Sequence, residues 1–366
     1  MANLSDLIAQ STYDNPQKLV NLALATQMMG SGSGCSGSGL GGTNYIFVKG
    51  GGTPQENALE LQAAYNEAKK MPRFLGTRGT GVSYAWYKGQ TVDLYTSGIR
   101  GYYTVYENFI GDIYPNTDKF IPSSTSGEYE KSVRSTVVIA PGEYKFDDMS
   151  MSFNMNDCGI NVVSLTGFPD VIIDNLSVGS QCRYSHFRGL KCKTGFHVES
   201  SAYPDMIFEN CQGGNNSFGR SNDNQSKPDA GGLYINCVGG DNSFGYISTG
   251  KFYNCKAGDE SYGSDNEASG EFYNCIGGED AFAGNEGVAS GKFYNCKGGK
   301  FSFGGNGQVS GEFYNCIGDK SSFGGDEGII SGKLYYCKLT EGEYEANKSG
   351  KVVLCIDGND TVVTTP

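Results

Sequence analysis

A single pattern of hydrophobic and polar positions recurs through the C-terminal half of the chain. Its clearest copies read Gly-Lys-Phe-Tyr-Asn-Cys or Gly-Glu-Phe-Tyr-Asn-Cys and cover residues 250–255, 270–275, 291–296 and 311–316. Each copy is followed by a glycine-rich turn, by Ser-Phe-Gly or a variant, and by small residues that end in Ser-Gly. Repetition with a period of about 20 residues is typical of solenoids. The repeat therefore predicts an all-β parallel solenoid in which each rung contains three short strands.

Strand alternation divides the residues of each copy into an inner and an outer set. The Phe is predicted to face inward, the Tyr after it outward, and the Cys inward again. The predicted inner columns contain Phe252, Phe272, Phe293 and Phe313, with Cys255, Cys275, Cys296 and Cys316. The outer column contains Tyr253, Tyr273, Tyr294, Tyr314 and Tyr335. A second inner row, predicted in a Ser-Phe-Gly strand, contains Phe218, Phe244, Tyr262, Phe282, Phe303 and Phe323.

Two further columns follow from the same alignment. The Asn before each Cys lies where the chain must bend, and its amide can bond the next rung. This predicts an asparagine ladder of Asn210, Asn236, Asn254, Asn274, Asn295 and Asn315. The residue before each Phe alternates in charge, as Lys251, Glu271, Lys292, Glu312 and Lys333. Opposite charges on adjacent strands attract modestly, so the alternation is expected to fix the register of the rungs.

The cysteines follow the repeat instead of forming an obvious disulfide framework. The chain has twelve cysteines, and the nine from Cys192 onward fall mostly 18 to 21 residues apart, which predicts one column. A disulfide column or a metal site is the alternative. No Cys-x-x-Cys is present, and His186 and His197 are the only histidines. We therefore expect free thiols in the core, with no metal and no cofactor.

The N-terminal half is less regular, and the chain divides into three predicted regions: 1–40, 41–191 and 192–366. The first has the composition of a short helical arm followed by a Gly-Ser tether. The second contains a helical stretch, 56–69, whose small and apolar residues share one face and are predicted to cap the solenoid. It also contains an aromatic insert, about 72–134, which includes Trp86 and whose fold the sequence does not predict. The third region holds the regular repeats.

The order of elements in the second region resembles a known fold family. A strand at 45–49 is followed by Gly50-Gly-Gly-Thr-Pro54, by the helix, and later by Val137-Val-Ile-Ala-Pro-Gly-Glu-Tyr144. This order resembles the opening of pectate-lyase-like right-handed parallel β-helix domains, as in phage tailspikes and polysaccharide lyases. The chain departs from that pattern by the insert of about 60 residues before Val137.

The resemblance implies a right-handed parallel β-helix and a virion structural appendage, such as a tail fibre, spike or adhesin. Such a protein would be made in the host cytoplasm without a signal peptide and would end in the virion. Its partners would be other virion proteins, bound through the N-terminal arm, a host-surface glycan, and two further copies in a trimer. Trp86 and the outer tyrosine column are the candidate surface-binding residues. Cross-rung stabilisation by the tyrosines is the alternative.

Charge and composition limit the other possible functions. The net charge is −12, which argues against nucleic acid as a partner, and no apolar run suggests membrane insertion. No pair of carboxylates stands out as a catalytic pair, so catalysis is the less expected outcome. A polysaccharide depolymerase or lyase on the same fold, and a filament-forming structural protein, remain alternative functions.

Overall fold

The repeat forms a parallel β-solenoid, as predicted. The computed structural model describes residues 37–38, 44–70, 73–76, 83–87, 90–93, 135–146, 151–157, 159–179, 182, 185–193, 195–198, 206–219, 230–264, 266–325, 327–342 and 347–365. The predicted arm helix and most of the aromatic insert lie outside these residues.

One continuous sheet, called here the first sheet, runs the length of the solenoid. Its twelve parallel strands are in register, and successive copies of the repeat pair residue for residue. With strands about 4.8 Å apart, eleven steps give a column of about 53 Å. The strands are Asn44–Val48, Ser135–Ile139, Ile160–Ser164, His186–Arg188, Ile207–Glu209, Leu233–Ile235, Lys251–Tyr253, Glu271–Tyr273, Lys292–Tyr294, Glu312–Tyr314, Lys333–Tyr335 and Lys351–Val353.

Shorter strands form the other faces. A second face contains Gly142–Tyr144, Val171–Ile173 and Leu190–Cys192, then single-residue bridges, then Ile317–Gly318, Lys338–Leu339 and Cys355–Ile356. A third face begins with Phe153–Met155, Leu176–Val178 and Phe196–Val198. Towards the C-terminus a separate parallel sheet contains Ile247–Ser248, Glu267–Ala268, Val288–Ala289, Gln308–Val309, Ile329–Ile330 and Asn347–Lys348.

Helix α1, Pro54–Lys70, covers the N-terminal end of the column, and the prediction of a capping helix is confirmed. Thr53 and Glu56 form a capping box, because Glu56 Oε2 accepts from the Thr53 amide at 2.8 Å and Thr53 Oγ1 accepts from the Glu56 amide at 3.3 Å. The predicted apolar face is buried and consists of Ala58, Leu61, Ala64, Tyr65 and Ala68. Strand Gly37–Ser38 pairs antiparallel with Asn44–Val48 at the same end.

The C-terminal end of the column is covered by the last residues of the chain. Strand Val362–Val363 pairs antiparallel with Cys355–Ile356. The hydroxyls of Thr364 and Thr365 accept from the Leu354 and Val352 amides at 3.2 and 2.8 Å. These contacts satisfy backbone donors that a terminal strand would otherwise expose, so this edge is not free to pair with another chain.

Two interlocked aromatic columns lie in the interior of the repeat region. Successive rings within a column are nearly parallel and mostly 4.5 to 5.1 Å apart, and rings of the two columns meet edge to face, as Phe293 and Phe303 do at 5.7 Å. Both columns are buried, but the prediction of a Ser-Phe-Gly strand is wrong. The aromatic residues there lie in turns with positive φ, 52° at Phe282 and 53° at Phe303. Bulky side chains rarely adopt this conformation, so the buried ring must offset its cost.

The aromatic insert contributes a small antiparallel sheet. Its three strands are Arg73–Gly76, Ser83–Tyr87 and Gln90–Asp93, paired in that order. Trp86 lies in the middle strand, where its backbone pairs with Arg73 and Thr91.

Candidate functional site

The outward face of the first sheet carries the predicted tyrosine column. Tyr253, Tyr273, Tyr294, Tyr314 and Tyr335 lie half-exposed on five successive rungs. Their ring centroids are 4.8, 4.9, 5.1 and 4.8 Å apart, and neighbouring planes differ by at most 11°. Each ring face therefore meets the next ring, and solvent meets the ring edges and hydroxyls. A ligand on this column would contact phenol hydroxyls more readily than ring faces.

Two tyrosines of this column, Tyr273 and Tyr314, have raised pKa values. Partial burial, followed by the adjacent Glu271 carboxylate, raises the pKa of Tyr273. The same two causes, with Glu312 as the neighbour, raise the pKa of Tyr314. A phenol hydroxyl can both donate and accept a hydrogen bond, so the column presents a regular row of such groups.

The charged column lies two residues before the tyrosines on the same face. Lys251 and Lys292 contact Glu271 at 3.2 and 3.8 Å, and Lys333 contacts Glu312 at 2.8 Å. The contact with Lys333 lowers the pKa of Glu312 and raises that of Lys333. These ion pairs are exposed, so each adds little to the free energy of unfolding. Their main effect is on the register of the rungs and on the pattern of surface charge.

Replacing Lys292 by glutamate should place three like charges on successive rungs and lower the melting temperature. The loss should be larger at low salt than at high salt, because screening weakens repulsion between exposed charges. Adding Glu271→Lys and Glu312→Lys restores the alternation around residue 292 and should recover much of the loss. Thermal melts at two ionic strengths measure this effect, and a loss independent of salt would contradict it.

The asparagines form a hydrogen-bonded ladder directly after the C-terminal ends of successive strands of the first sheet. Each Nδ2 donates to Oδ1 of the asparagine one rung before, at 3.0 to 3.1 Å from Asn236 to Asn315. Every member has positive φ, between 52° and 55°. The next two positions are Tyr336 and Leu354, which keep positive φ and are 59% and 51% exposed. The ladder thus ends two rungs before the first sheet does.

The cysteine column contains eight members, and the prediction of nine in one column is wrong by one. They are Cys211, Cys237, Cys255, Cys275, Cys296, Cys316, Cys337 and Cys355, all buried and free. Cys192 is out of register, because Lys191 bridges to Gln212 and this places Leu190 below Cys211. The uneven spacing of the earlier rungs hides this shift in the sequence.

The column thiols are engaged with the backbone. Each Sγ from Cys211 to Cys316 donates to a carbonyl oxygen of the preceding rung at 3.3 to 3.5 Å, for example Cys275 to Phe252. Burial raises the pKa of Cys211 and Cys237 well above the ordinary value. In the protonated state these thiols are poor nucleophiles. No cluster of three or more His, Cys, Asp or Glu side chains within the described ranges could hold a metal ion.

A charged cluster that the sequence reasoning missed lies nearer the N-terminus on the same face. The Glu209 carboxylate lies 3.0 Å from His186 Nε2 and 3.5 Å from Arg188 Nε. The His186 contact is the main reason that the pKa of Glu209 is lowered. Aligning His-Phe-Arg with Ile-Phe-Glu on adjacent rungs would have found it.

Replacing Glu209 by glutamine should destabilise the protein near pH 6 and do so less at lower pH. The folded pKa of Glu209 lies below its ordinary value, so its stabilisation is complete above about pH 4.5 and is lost as the pH falls. Denaturant melts from pH 6 to pH 3 should show the two curves converging. A difference that stays constant would mean that the carboxylate charge does not stabilise the fold.

Two carboxylates of the N-terminal rungs, Asp170 and Asp174, have structural contacts. Asp170 accepts the hydroxyls of Ser164, at 2.6 Å, and Thr166. Asp174 Oδ1 accepts the Phe146 amide at 2.7 Å. Both therefore fix neighbouring turns of the chain.

Comparison with known protein families, curated proteins and solved structures finds no match to this chain. The described part of the chain contains no helix long and apolar enough to cross a membrane. The parallel β-helix therefore rests on the geometry of the chain itself.

Proposed function

We propose that this protein is a virion structural appendage, a fibre, spike or adhesin, whose rigid β-solenoid contacts a host surface. The observation that carries the proposal is a column of fixed length with both ends covered and one continuous patterned face. Resemblance of the N-terminal elements to tailspike-type β-helices supports the virion context. The N-terminal arm and tether, predicted at residues 1–40, would connect the column to other virion proteins.

The covered ends support a discrete column over a filament. Helix α1 lies on one end, and Thr364, Thr365 and strand Val362–Val363 pair with the other. End-to-end growth of a β-solenoid requires free strand edges at both ends. A trimer of side-by-side columns is compatible with covered ends and remains part of the proposal.

The outer face supports a polyhydroxylated ligand, such as a host-surface glycan. Phenol rings recur every 4.8 to 5.1 Å along the tyrosine column, and ammonium and carboxylate groups alternate from rung to rung along the charged column. Sugar hydroxyls hydrogen-bond to all three kinds of group. Because the ring faces are covered by their neighbours, hydrogen bonding and not ring stacking would supply the contacts.

A conservative variant tests the face directly. Replacing Tyr273, Tyr294 and Tyr314 by phenylalanine removes three hydroxyls but keeps the stacked rings. We expect unchanged thermal stability and at least a severalfold loss of binding to host cells or to an array of surface glycans. The control is the same type of substitution in the interior. Tyr234→Phe and Tyr262→Phe remove only buried hydroxyls, so they should not change binding at the outer face. Equal binding by both variants would overturn the role of the face.

A separate experiment tests whether the protein is part of a virion. An antibody against the solenoid should label particles at one appendage in negative-stain images. A chain that begins at residue 37 keeps strand Gly37–Ser38 and should fold, yet fail to enter particles. Labelling of free filaments, or incorporation of the truncated chain at the level of the full chain, would contradict the proposal.

A further inference from the structure

We infer that the second face of the solenoid pairs with the same face of a second copy of this chain, with the two columns antiparallel. A charged column at one edge of that face, called here the edge column, makes the main contacts. The edge column consists of Asp241, Asp259, Glu279, Lys300 and Lys320, each the fourth residue after a column cysteine. The contact joins separate solenoids and does not rest on the virion proposal.

Backbone hydrogen bonds place the edge column in register. The amide after each member donates to the carbonyl of the member on the next rung, as Glu260 does to Glu279 at 2.8 Å and Asp280 does to Lys300 at 2.9 Å. Successive members therefore lie one rung, about 4.8 Å, apart. All members are exposed except Asp241, which is half-buried. Acidic residues on three consecutive rungs are followed by lysines on the next two, so the two ends of the edge column carry opposite charge.

Two of the carboxylates are fixed on the outer surface of the face. Asp241 Oδ1 accepts the Asp259 amide at 3.0 Å, and Asp259 Oδ1 accepts the Glu279 amide at 2.8 Å. These two oxygens occupy the space that a side chain at Gly258 and at Gly278 would need. The glycines therefore keep the face flat, and the amide donors offset part of the repulsion between neighbouring carboxylates.

Most neighbouring charges follow the same division into an acidic half and a basic half. Glu260 and Asp280 adjoin the acidic members, and Lys297 lies among the basic ones. Asp319 is an acidic residue in the basic half, where its Oδ1 accepts the Thr340 hydroxyl at 2.7 Å. The face is therefore acidic on one side of its midpoint and mainly basic on the other.

An antiparallel pair brings the opposite halves together. A two-fold axis that lies in the contact plane, across the columns and between the Cys275 and Cys296 rungs, reverses the order of the rungs and keeps each lateral position opposite itself. Glu279 then faces Lys300 of the second copy, and Asp259 faces Lys320. Each contact occurs twice, because such an interface is isologous. In a parallel pair the edge columns could meet only with like charges at the same height.

The residue after each column cysteine fits the same arrangement. Exposed lysines alternate there with exposed isoleucines in one register, as Lys256, Ile276, Lys297, Ile317 and Lys338. The same axis places Lys256 opposite Ile317 of the second copy and Ile276 opposite Lys297, so no two lysines meet. A lysine stem covers apolar surface while its ammonium stays in water, which suits Ile276 and Ile317, now 41% and 37% exposed.

The size of the face predicts a weak and reversible pair. Six rungs, from Cys237 to Cys337, span about 29 Å at about 4.8 Å each, and five residues across the face span about 16 Å. Two such surfaces amount to about 900 Å², below the size of standard stable interfaces. Because opposite charges carry the contact, the pair should weaken as salt is added.

The first measurement uses the full-length chain without substitutions. Sedimentation equilibrium at low salt should show a mass that rises with concentration from one chain towards two, and high salt should return it to one chain. A mass of one chain at every concentration would overturn the inference. A mass of three chains would do so as well, and would instead support the trimer of the virion proposal.

Two variants of the full-length chain test the charges. The basic variant carries Asp259→Asn and Glu279→Lys, and the acidic variant carries Lys300→Glu and Lys320→Glu. Asparagine keeps a side-chain oxygen for the next amide, a contact that Asn215 makes at 3.1 Å. Neither variant should pair alone, because like charges then meet. An equimolar mixture should form a one-to-one complex, since lysines of one chain then face carboxylates of the other.

The matched control makes the same net changes of charge on the first sheet. Glu271→Gln with Glu312→Lys, and Lys292→Glu with Lys333→Glu, should each pair as the unmodified chain does. Pairing by the basic or the acidic variant alone, or a mixture that stays at one chain, would overturn the inference. Circular dichroism checks the fold of each variant, and if one fails to fold, the mass of the unmodified chain at low and high salt still decides the question.

Discussion

Replacing Phe293 by alanine is expected to lower the free energy of unfolding by about 3 to 5 kcal/mol. Phe293 is 0% exposed and stacks on Phe272 and Phe313 at 4.8 and 4.5 Å. It also meets Phe282 and Phe303 edge to face at 5.9 and 5.7 Å. Truncation leaves a cavity at the crossing of the two aromatic columns, and the stacked rungs on either side restrict its collapse.

Tyr294→Ala is the matched control, because the neighbouring ring stacks in the same register but faces solvent. We expect this variant to lose much less stability than Phe293→Ala. Denaturant unfolding of both variants, followed by far-UV circular dichroism, measures the difference. Equal losses would mean that the inner and outer columns are not energetically distinct.

The sequence predicted the columns of the first sheet because the repeat is nearly verbatim there. The recurring motif places like residues on like positions, and strand alternation then separates Phe252 from Tyr253. The same reasoning failed at the Ser-Phe-Gly segment. There Phe282 and Phe303 recur once per rung, as the strand residues do, yet they bury their rings from turns with positive φ. The period of the repeat predicts which residues are buried on successive rungs. It does not predict whether their backbone is a strand or a turn.

Register was predictable where the Asn-Cys pair recurs on every rung, from Cys211 to Cys316. Between Cys192 and Cys237 the rungs vary in length, so counting from cysteine to cysteine put Cys192 in a column where Leu190 lies. The same irregular rungs hide the contact of His186 and Arg188 with Glu209. The helix that covers the N-terminal end of the column has a recognisable sequence pattern and could be predicted. The threonines that cover the C-terminal end have no distinctive pattern and could not.

The side-chain ladders connect the fold to the proposed role. On the four rungs that carry Phe-Tyr-Asn, each of these side chains contacts a counterpart on an adjacent rung. A local displacement must therefore disturb several contacts at once, which favours a stiff column. Stiffness is what an appendage needs to hold a binding face at a fixed distance from its attachment point.

Replacing Asn274 by alanine is expected to destabilise the solenoid by about 2 to 3 kcal/mol. Asn274 donates to Asn254 Oδ1 at 3.1 Å and accepts from Asn295 Nδ2 at 3.1 Å. Each lost hydrogen bond costs about 0.5 to 1.5 kcal/mol, nearer the lower value at this exposed position. The backbone φ of 55° adds about 1 to 2 kcal/mol for alanine, because an L side chain crowds its own backbone there.

Asn274→Gly separates the two contributions, because glycine adopts positive φ without that crowding and lacks the amide. We expect the glycine variant to lose clearly less stability than the alanine variant. Denaturant melts of both variants give the difference, which should match the cost of positive φ. The double variant Asn274→Gly, Asn295→Gly should lose less than twice the single loss, since the two residues share one bond. Equal losses for alanine and glycine would assign the whole effect to the amide ladder and remove backbone conformation as the reason for asparagine at this position.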